Sequence, residues 1–218
     1  MSLLTQALVG VLIAAPAAFA ESQTLTLVIS PEALESNPTL EEMKRETARL
    51  VSPAEYSFAW LPKGQAVLGD SFEQLVVVRF RGACRSRAEN EPASMEAGSL
   101  AATAVSGGQV LPFVEVDCDR TRRLISPAIA GLPGGARDVL FGRALGRVLA
   151  HELYHVLAQT TDHKEHGVSK PCFRLADLVS TRFRFDAVSL ARMRPAVALA
   201  AAQRAELDAV ADDAGAGR

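Results

Sequence analysis

A chain of 218 residues, 49% hydrophobic and 22% charged, has the composition of an ordinary globular protein and the length of one domain with short extensions. The formal net charge is only −2, which argues against nucleic acid or an anionic membrane surface as the main partner. Neither a G-x-G-x-x-G motif nor a phosphate-binding loop is present.

Residues 3–20 are almost wholly apolar and predict a signal peptide over residues 1–20. Residues 7–15 form its apolar centre, and Ala18-Phe19-Ala20 fits the small-x-small cleavage rule, so the mature chain would begin at Glu21. A retained membrane anchor is the alternative, because the first six residues contain no Lys or Arg, but the apolar run is short and contains Pro16. We expect a secreted protein, periplasmic or extracellular, without stable membrane insertion after cleavage.

Strands and one early helix follow along the mature chain. The helix is predicted at residues 39–51, with Thr39 as its N-cap and a thin apolar stripe that places it at the surface. A hairpin is predicted around Gly107-Gly108, and residues 85–99 are expected to form an exposed loop. The predicted strands are residues 24–29, 56–61, 74–80, 100–105 and 110–117.

The three cysteines fit an exported protein. Cys84 and Cys118 both flank predicted strands, so a disulfide between them is plausible in an oxidising compartment, and Cys172 would then be free. Three unpaired cysteines are the alternative, since spacing alone does not determine pairing. Residues 119–132 predict a connecting loop or short helix, whose arginines (Arg120, Arg122 and Arg123) are interpreted as a solvated face.

A long helix is predicted at residues 138–159, because its apolar residues recur at helical spacing and no proline interrupts it. Arg143, Arg147 and Tyr154 are expected on its more polar side. Gly142 and Gly146 lie one turn apart, which indicates a stripe that packs closely on a sheet, since each glycine costs about 1 kcal/mol relative to Ala in a helix.

Within this helix, His151, Glu152 and His155 form the motif H-E-x-x-H. Positions i and i+4 lie on one helix face, so the two imidazoles can bind the same metal ion. Glu152 can then act as general base towards a water molecule at the metal. Burying these polar groups without a partner would be costly, so the motif predicts a Zn²⁺ site rather than two core histidines.

A catalytic zinc ion usually has three protein ligands, so one more is needed. If the helix continued, His163 would lie about 12 Å beyond His155, too far to share a metal ion. The segment Gln159-Thr160-Thr161-Asp162 favours a turn, which makes His163 the preferred third ligand. His166 is the second choice and Asp177 the third.

Residues 151–170, with the sequence HELYHVLAQTTDHKEHGVSK, resemble the zinc-binding region of metzincin-type endopeptidases, most of all small secreted bacterial relatives with a longer loop to the third histidine. The resemblance implies that His151, His155 and His163 bind zinc and that Glu152 is the base. It also implies that Gly167-Val168-Ser169 lies beneath the metal, where the family has its methionine turn.

The chain departs from the family pattern in this region. Ala158 stands where the family has a glycine, and Thr161 occupies the usual position of the third ligand, so the loop to His163 is two residues longer. Ser169 replaces the methionine of the turn. We expect an ordinary helix end instead of the glycine bend.

Together these observations predict an α+β fold: a zincin- or metzincin-like domain with a mixed, mostly parallel, twisted sheet packed on the active-site helix, followed by C-terminal helices. The domain is predicted at residues 21–185. A short helix is expected at residues 175–181 and another at residues 187–211, broken near Pro195. Residues 186–218 would thus form a helical extension with a frayed tail.

The predicted function is that of a monomeric, secreted zinc metallopeptidase that hydrolyses a peptide or protein substrate with Glu152 as general base. In such folds the strand beside the cleft binds an extended peptide by backbone pairing, and the hairpin around Gly107-Gly108 is the candidate for that strand. A catalytically inactive zinc-binding protein of the same fold is the alternative. A zinc hydrolase for another kind of bond is a third interpretation.

Overall fold

The computed structural model describes residues 22–30, 37–65, 71–87 and 98–195. Within them, one mixed sheet has the strand order β2-β1-β3-β5-β4, in which β4 runs antiparallel to β5 and the other pairs are parallel. Its strands are β1 (Gln23–Ile29), β2 (Tyr56–Pro62), β3 (Gln74–Arg81), β4 (Ala101–Ser106) and β5 (Gln109–Asp117). The predicted α+β class and the predicted hairpin are confirmed, and Gly107 and Gly108 make its turn with φ of 58° and 81°.

The predicted signal peptide, residues 88–97 of the predicted loop, and the chain after Pro195 lie outside the described residues. The helices within them are α1 (Asn37–Val51), α2 (Cys118–Ile129), α3 (Gly134–Leu157), α4 (Leu175–Val179) and α5 (Ala187–Met193). None of these helices is long and apolar enough to cross a membrane.

Helix α3 lies at the centre of the molecule, where it contacts α1, α2, β4 and β5. Its apolar face is fully buried in one core together with side chains from the parallel strands. Burial on this scale stabilises the fold by roughly 1.5–3 kcal/mol for each large aliphatic side chain. The core residues that the helix and the strands contribute include Leu145, Leu149, Leu153, Leu25, Leu27, Val76 and Val78.

The glycine stripe of α3 packs on a helix, so the prediction that it packs on the sheet is wrong. A Cβ atom on Gly142 would lie 2.4 Å from the carbonyl oxygen of Thr39, and one on Gly146 would lie 2.7 Å from that of Met43. Both carbonyls belong to α1. Two glycines one turn apart therefore let the backbones of α1 and α3 come into direct contact.

Charged side chains also take part in the α1–α3 interface, beside the buried Met43 and Thr47 of α1. Glu46 of α1 is 5% exposed and accepts a hydrogen bond of 2.6 Å from Nε of Arg147, which is 1% exposed. Arg147 also donates to the carbonyl oxygens of Asp177 and Ser180, so it ties α3 to the segment around α4. Arg147 and the fully buried Tyr154 are therefore not on a polar face, and that prediction is wrong.

The start of α1 differs from the prediction as well. The helix begins at Asn37, so Thr39 lies inside the first turn and is not the N-cap. The Thr39 hydroxyl instead donates to the carbonyl oxygen of Asp138 at 3.2 Å, which adds a further link between α1 and α3. Interhelical contacts of this kind are long-range and have no local signal in the sequence.

The predicted disulfide between Cys84 and Cys118 is present, and Cys172 is free and exposed. The bond joins the chain after β3 to the first residue of α2, a helix of 12 residues where a connecting loop or short helix was predicted. Asp117 caps α2 by accepting a hydrogen bond from the backbone N–H of Arg120. Arg122 was predicted to lie on a solvated face, but it is only 4% exposed, so that prediction is wrong for this residue.

Close contact between α1 and α3 leads to a prediction for Gly146. We expect Gly146→Ala to lower the free energy of unfolding by roughly 1–3 kcal/mol, because the added methyl group must push the α1 backbone away. Urea unfolding measures the change. Gly135→Ala is the matched control, since nothing lies within 4 Å of its Cβ position in the first turn of the same helix. Equal stability of the Gly146 variant and the parent would show that the helices do not approach so closely.

Candidate metal centre

The second half of α3 carries three polar side chains into an apolar setting. His151, Glu152 and His155 are 9%, 5% and 7% exposed, and their neighbours Leu149 and Leu153 on the same helix are fully buried. The regular helical spacing places the two imidazoles on the same side, with ring centroids 4.8 Å apart. The H-E-x-x-H motif is therefore a buried, preformed pair of histidines with a carboxyl group beside it.

After α3 the chain reverses direction, as the candidate third ligand requires. Gln159 adopts a left-handed conformation with φ of 47°, and the backbone N–H of Thr160 donates to the carbonyl oxygen of His155 at 3.2 Å. Left-handed residues commonly end helices, although glycine or asparagine is the usual choice. The turn residue is thus Gln159, the first residue of the segment Gln159-Thr160-Thr161-Asp162 in which a turn was expected.

This turn brings His163 to the two histidines of α3. The ring of His163 lies with its centroid 5.2 Å from that of His151 and 4.8 Å from that of His155. One nitrogen of each of the three rings lies within 4.8 Å of the others, a spacing at which all three could bind a single ion. Two of the rings are buried and the third, His163, is exposed, so the group opens to solvent on one side.

The other ligand candidates do not join this group. His166 has an exposed side chain, 92% accessible, and its nearest charged partner is Glu165 at 3.9 Å. Asp177 is held by Nζ of Lys170 at 2.5 Å and by the backbone N–H of Arg174 at 2.6 Å. Of the three ligand candidates, only His163 therefore lies with the pair on α3.

Backbone carbonyl groups orient both buried imidazoles. Nδ1–H of His151 donates to the carbonyl oxygen of Val168 at 2.7 Å, and Nδ1–H of His155 donates to that of Thr160 at 2.8 Å. These bonds assign the proton of each neutral ring to Nδ1 and leave the lone pair on Nε2. Such outer hydrogen bonds are typical of histidines that bind metals, because they hold the ring and its tautomer.

The two Nε2 atoms face each other at a distance of 3.1 Å. Two lone pairs at this distance repel each other unless a cation lies between them. Two nitrogen ligands at tetrahedral angles around zinc would be separated by about 3.4 Å, given Zn–N distances near 2.0–2.1 Å. The three imidazoles thus fit a divalent metal ion in both donor chemistry and spacing.

The segment that follows His163 contacts the histidines through the Val168 carbonyl group and is held by further hydrogen bonds. The backbone N–H of Val168 donates to the carbonyl oxygen of Arg184, and the backbone N–H of Lys164 donates to that of Ser169. Ser169 is fully buried, and its hydroxyl lies 2.9 Å from the hydroxyl of Ser189 in α5. A pair of hydrogen-bonded serines therefore occupies this position, where the resemblance implied a methionine.

Glu152 has a partner that sequence patterns did not reveal. The Thr103 hydroxyl of β4 donates to the Glu152 carboxylate at 2.7 Å. Burial raises the pKa of Glu152 to about 7, although the hydrogen bonds from Thr103 oppose the shift. The carboxyl group is thus held against the edge strand and has a pKa at which it can accept and return a proton near neutral pH. Thr103 could have been found only by knowing which face of β4 meets α3.

A cavity of about 630 Å³ adjoins the histidines and Glu152. Its walls come from β4, from α2, and from residues 170–173, and they are mainly apolar. Phe173 lines the cavity next to His151, with the two rings edge-on and their centroids 5.2 Å apart. The candidate metal centre is therefore open to a molecule of substantial size.

Comparison with protein-family models found no match to this chain, and a search of curated proteins found no relative. Its function must therefore be inferred from the residues themselves.

Burial lowers the pKa of His151 to about 4, an effect to which the neighbouring His155 and His163 add and which the Val168 carbonyl opposes. The unfolded chain binds this proton near pH 6.5 and the metal-free fold only near pH 4. The contribution of His151 to the stability of the metal-free protein must therefore fall as the pH drops through this interval, by on the order of 3 kcal/mol. Glu152 has the opposite sign, because the fold retains a proton that the unfolded chain releases near pH 4.5.

These opposing signs predict how Glu152→Gln changes the metal-free protein. Between pH 4.5 and 6.5 the parent gains stability from His151 and loses it from Glu152 as the pH rises, whereas the variant only gains. We expect the free energy of unfolding to rise more steeply with pH in the variant. Urea titrations in the presence of a chelator measure both slopes. Parallel curves would show that Glu152 does not titrate in this way.

Proposed function

We propose that this protein is a secreted zinc-dependent peptidase with a metzincin-like fold, in which Glu152 is the general base. The observation that carries the proposal is the convergence of His151, His155 and His163 beside a buried carboxyl group at the edge of an open cavity. Three histidines with an accessible remaining position are the ligand set of a catalytic zinc site, whereas structural zinc sites have four protein ligands.

Zinc is proposed as the metal because a ligand set of neutral imidazoles suits borderline-soft transition metals and not magnesium or calcium. Bound at the three histidines, zinc would supply Lewis acid chemistry, polarising a carbonyl group and making a water molecule more acidic. His151 and His155 present their Nε2 lone pairs, and burial of His151 and His155 keeps both neutral by lowering their pKa.

Glu152 would accept the proton of the attacking water and return it to the leaving amine. Its carboxylate is held by the Thr103 hydroxyl, so it has a fixed position beside the histidines. A base whose pKa lies near the working pH can perform both transfers, which hydrolysis of an amide requires. Proton transfer of this kind contributes roughly 10²–10⁴-fold to the rate.

The edge strand β4 offers a place for an extended peptide. It pairs with β5 on one side, and within the described residues no strand pairs with its other edge. β4 also supplies Thr103 to Glu152 and lines the cavity through Ala101, Ala102 and Val105. A peptide that added to this edge by backbone hydrogen bonds would lie beside the cavity that the three histidines also line.

Secretion is supported by the predicted signal peptide and by the Cys84–Cys118 disulfide, since disulfides persist mainly in oxidising compartments. We retain the prediction of a monomer, because the residues of the proposed site all come from one chain.

The test is to incubate the purified mature chain, loaded with zinc, with a mixed peptide library and to identify fragments by mass spectrometry. We expect fragments that disappear on addition of a chelator and return when zinc is restored. Full zinc occupancy without any fragments would favour the inactive binding protein instead, for which Ser169 in place of the turn methionine is the motivating feature. Parallel assays with ester and amide substrates would reveal a hydrolase for another bond.

A further inference from the structure

The cavity beside the histidines has an uneven distribution of charge. Its walls are largely apolar, with Leu100, Leu124, Val148 and Phe173 among the lining residues. Three cationic side chains also line it: Arg120, Arg123 and Lys170. Among the lining residues that the structure describes, the only carboxyl group is that of Glu152, which accepts a hydrogen bond from Thr103.

Two of the three cations are already neutralised by the protein. Nε of Arg120 lies 3.2 Å from a carboxylate oxygen of Asp117, and Nζ of Lys170 lies 2.5 Å from a carboxylate oxygen of Asp177. Arg120 is also fixed in place by the close approach of its guanidinium group to the backbone of Gly98, where a Cβ atom would lie 1.6 Å from Nη1. Both side chains therefore already have a carboxylate partner within the protein.

Arg123 differs from both. It forms no ion pair within residues 22–30, 37–65, 71–87 and 98–195, and its Nε is buried without a hydrogen-bond partner. An unpaired N–H of a charged group is costly to bury, because it loses its water and gains nothing in exchange. The terminal nitrogens of Arg123 are not among the buried atoms and have no protein partner within the described residues, so they are the atoms that a ligand in the cavity could reach.

From these contacts we infer that the cavity binds a carboxylate of the substrate, with Arg123 as its partner and as a specificity-determining residue. A guanidinium group matches a carboxylate with two parallel hydrogen bonds, and apolar walls strengthen this pairing by excluding water. The inference rests on the proposed peptidase function: the carboxylate is either an acidic side chain next to the scissile bond or the free C-terminus of a short peptide.

Apolar, basic and neutral amide side chains would each match the cavity less well than a carboxylate. A purely apolar side chain would fill the cavity but leave Arg123 unpaired, and a basic side chain would meet Arg123, Arg120 and Lys170 at short range. A neutral amide such as Gln offers only one acceptor oxygen to the guanidinium group. Glu and Gln have nearly the same shape, so comparing them isolates the charge.

Two pairs of peptides separate the possible sources of the carboxylate. The first pair is N-acetylated and C-terminally amidated and differs only by Glu or Gln at a residue that flanks the cleavage site found in the library. The second pair has no internal acid and ends in a free acid or an amide. Rates are measured with the zinc-loaded parent, and binding is measured by calorimetry with zinc-loaded Glu152→Gln.

We expect the carboxylate member of one pair to be preferred about tenfold or more, in rate and in affinity. Arg123→Met should abolish this preference, and Arg123→Lys should retain part of it, since a lysine keeps the charge but not the two parallel bonds. Arg192→Met is the matched control, because Arg192 is exposed on α5 and does not line the cavity, so this variant should keep the full preference.

The outcomes distinguish this inference from the proposed function. Cleavage of both members of each pair at equal rates, or an unchanged preference in Arg123→Met and Arg123→Lys, would overturn the inference and leave the peptidase standing. Carboxylate-selective binding that depends on Arg123 without any cleavage would support the pocket and refute the peptidase. Absence of both binding and cleavage would refute the two together.

Discussion

Replacing Glu152 by Gln should leave the metal bound and lower turnover by roughly 10²–10⁴-fold, the contribution expected of a general base. Gln has the same size and can still accept the hydrogen bond of 2.7 Å that the Thr103 hydroxyl donates to Glu152. It cannot accept the proton of the attacking water. The fold and the three histidines should therefore be unaffected, while kcat falls.

The measurement compares kcat and zinc content of the parent and the variant on one library-derived peptide. Glu165→Gln makes the same chemical change in the loop near His163, where the side chain is 94% exposed, and should not alter the rate. A Glu152 variant that cleaves as fast as the parent would remove this residue from the mechanism. A variant that also loses its zinc would show that Glu152 supports the metal rather than the chemistry.

A second large effect is expected from His163→Ala. Loss of one of three protein ligands should weaken zinc binding by more than about 100-fold, since even outer residues that orient the ligands contribute 10–100-fold. The remaining pair, His151 and His155, would then hold the ion through only two nitrogens. Zinc affinity is measured by competition with a chromophoric chelator, followed by elemental analysis after dialysis.

His166→Ala is the control, because His166 lies only three residues further on and is fully solvated. It should retain zinc at the level of the parent. If His166→Ala loses the metal and His163→Ala retains it, the third ligand is His166 and not His163. If neither variant changes zinc content, the third imidazole is not a ligand at all.

Periodicity predicted the parts of this molecule that depend on local patterns. The apolar spacing of α3 identified the helix, and the twin glycines at 107 and 108 identified the antiparallel edge of the sheet. The placement of His163 followed from a distance limit, because an uninterrupted helix cannot return the chain to His155. The positions of Cys84 and Cys118 beside predicted strands made their pairing plausible, and the structure confirms it.

Contacts between distant segments were beyond such patterns. Glu46 and Arg147 are separated by 101 residues, and each by itself resembles an ordinary surface charge. Likewise, the arginines of α2 looked solvated, yet Arg122 is buried and Arg123 faces the cavity. Their environment is decided by which helix packs beside them, and a single sequence does not contain that information in local form.

The same was true of the residues that complete the site. Thr103 reaches Glu152 only because β4 lies across α3, and the Val168 carbonyl reaches His151 only because the chain folds back after His163. Such outer contacts orient reactive groups and come from any part of the chain. The motif therefore identifies the candidate metal ligands and the candidate base, whereas tertiary packing determines how these side chains are oriented.

The hydrogen-bonded pair Ser169 and Ser189 links helix α5 to the segment that orients His151. Ser189 bonds to Ser169, whose neighbour Val168 aligns the ring of His151, and Arg184 secures Val168 in turn. A shortened chain ending before Ser189 would keep the three histidines and Glu152. It would lose the hydrogen bond to Ser169, the neighbour of the residue whose carbonyl orients His151, so we expect proteolysis before Ser189 to weaken metal binding and the proposed activity without removing any residue of the site.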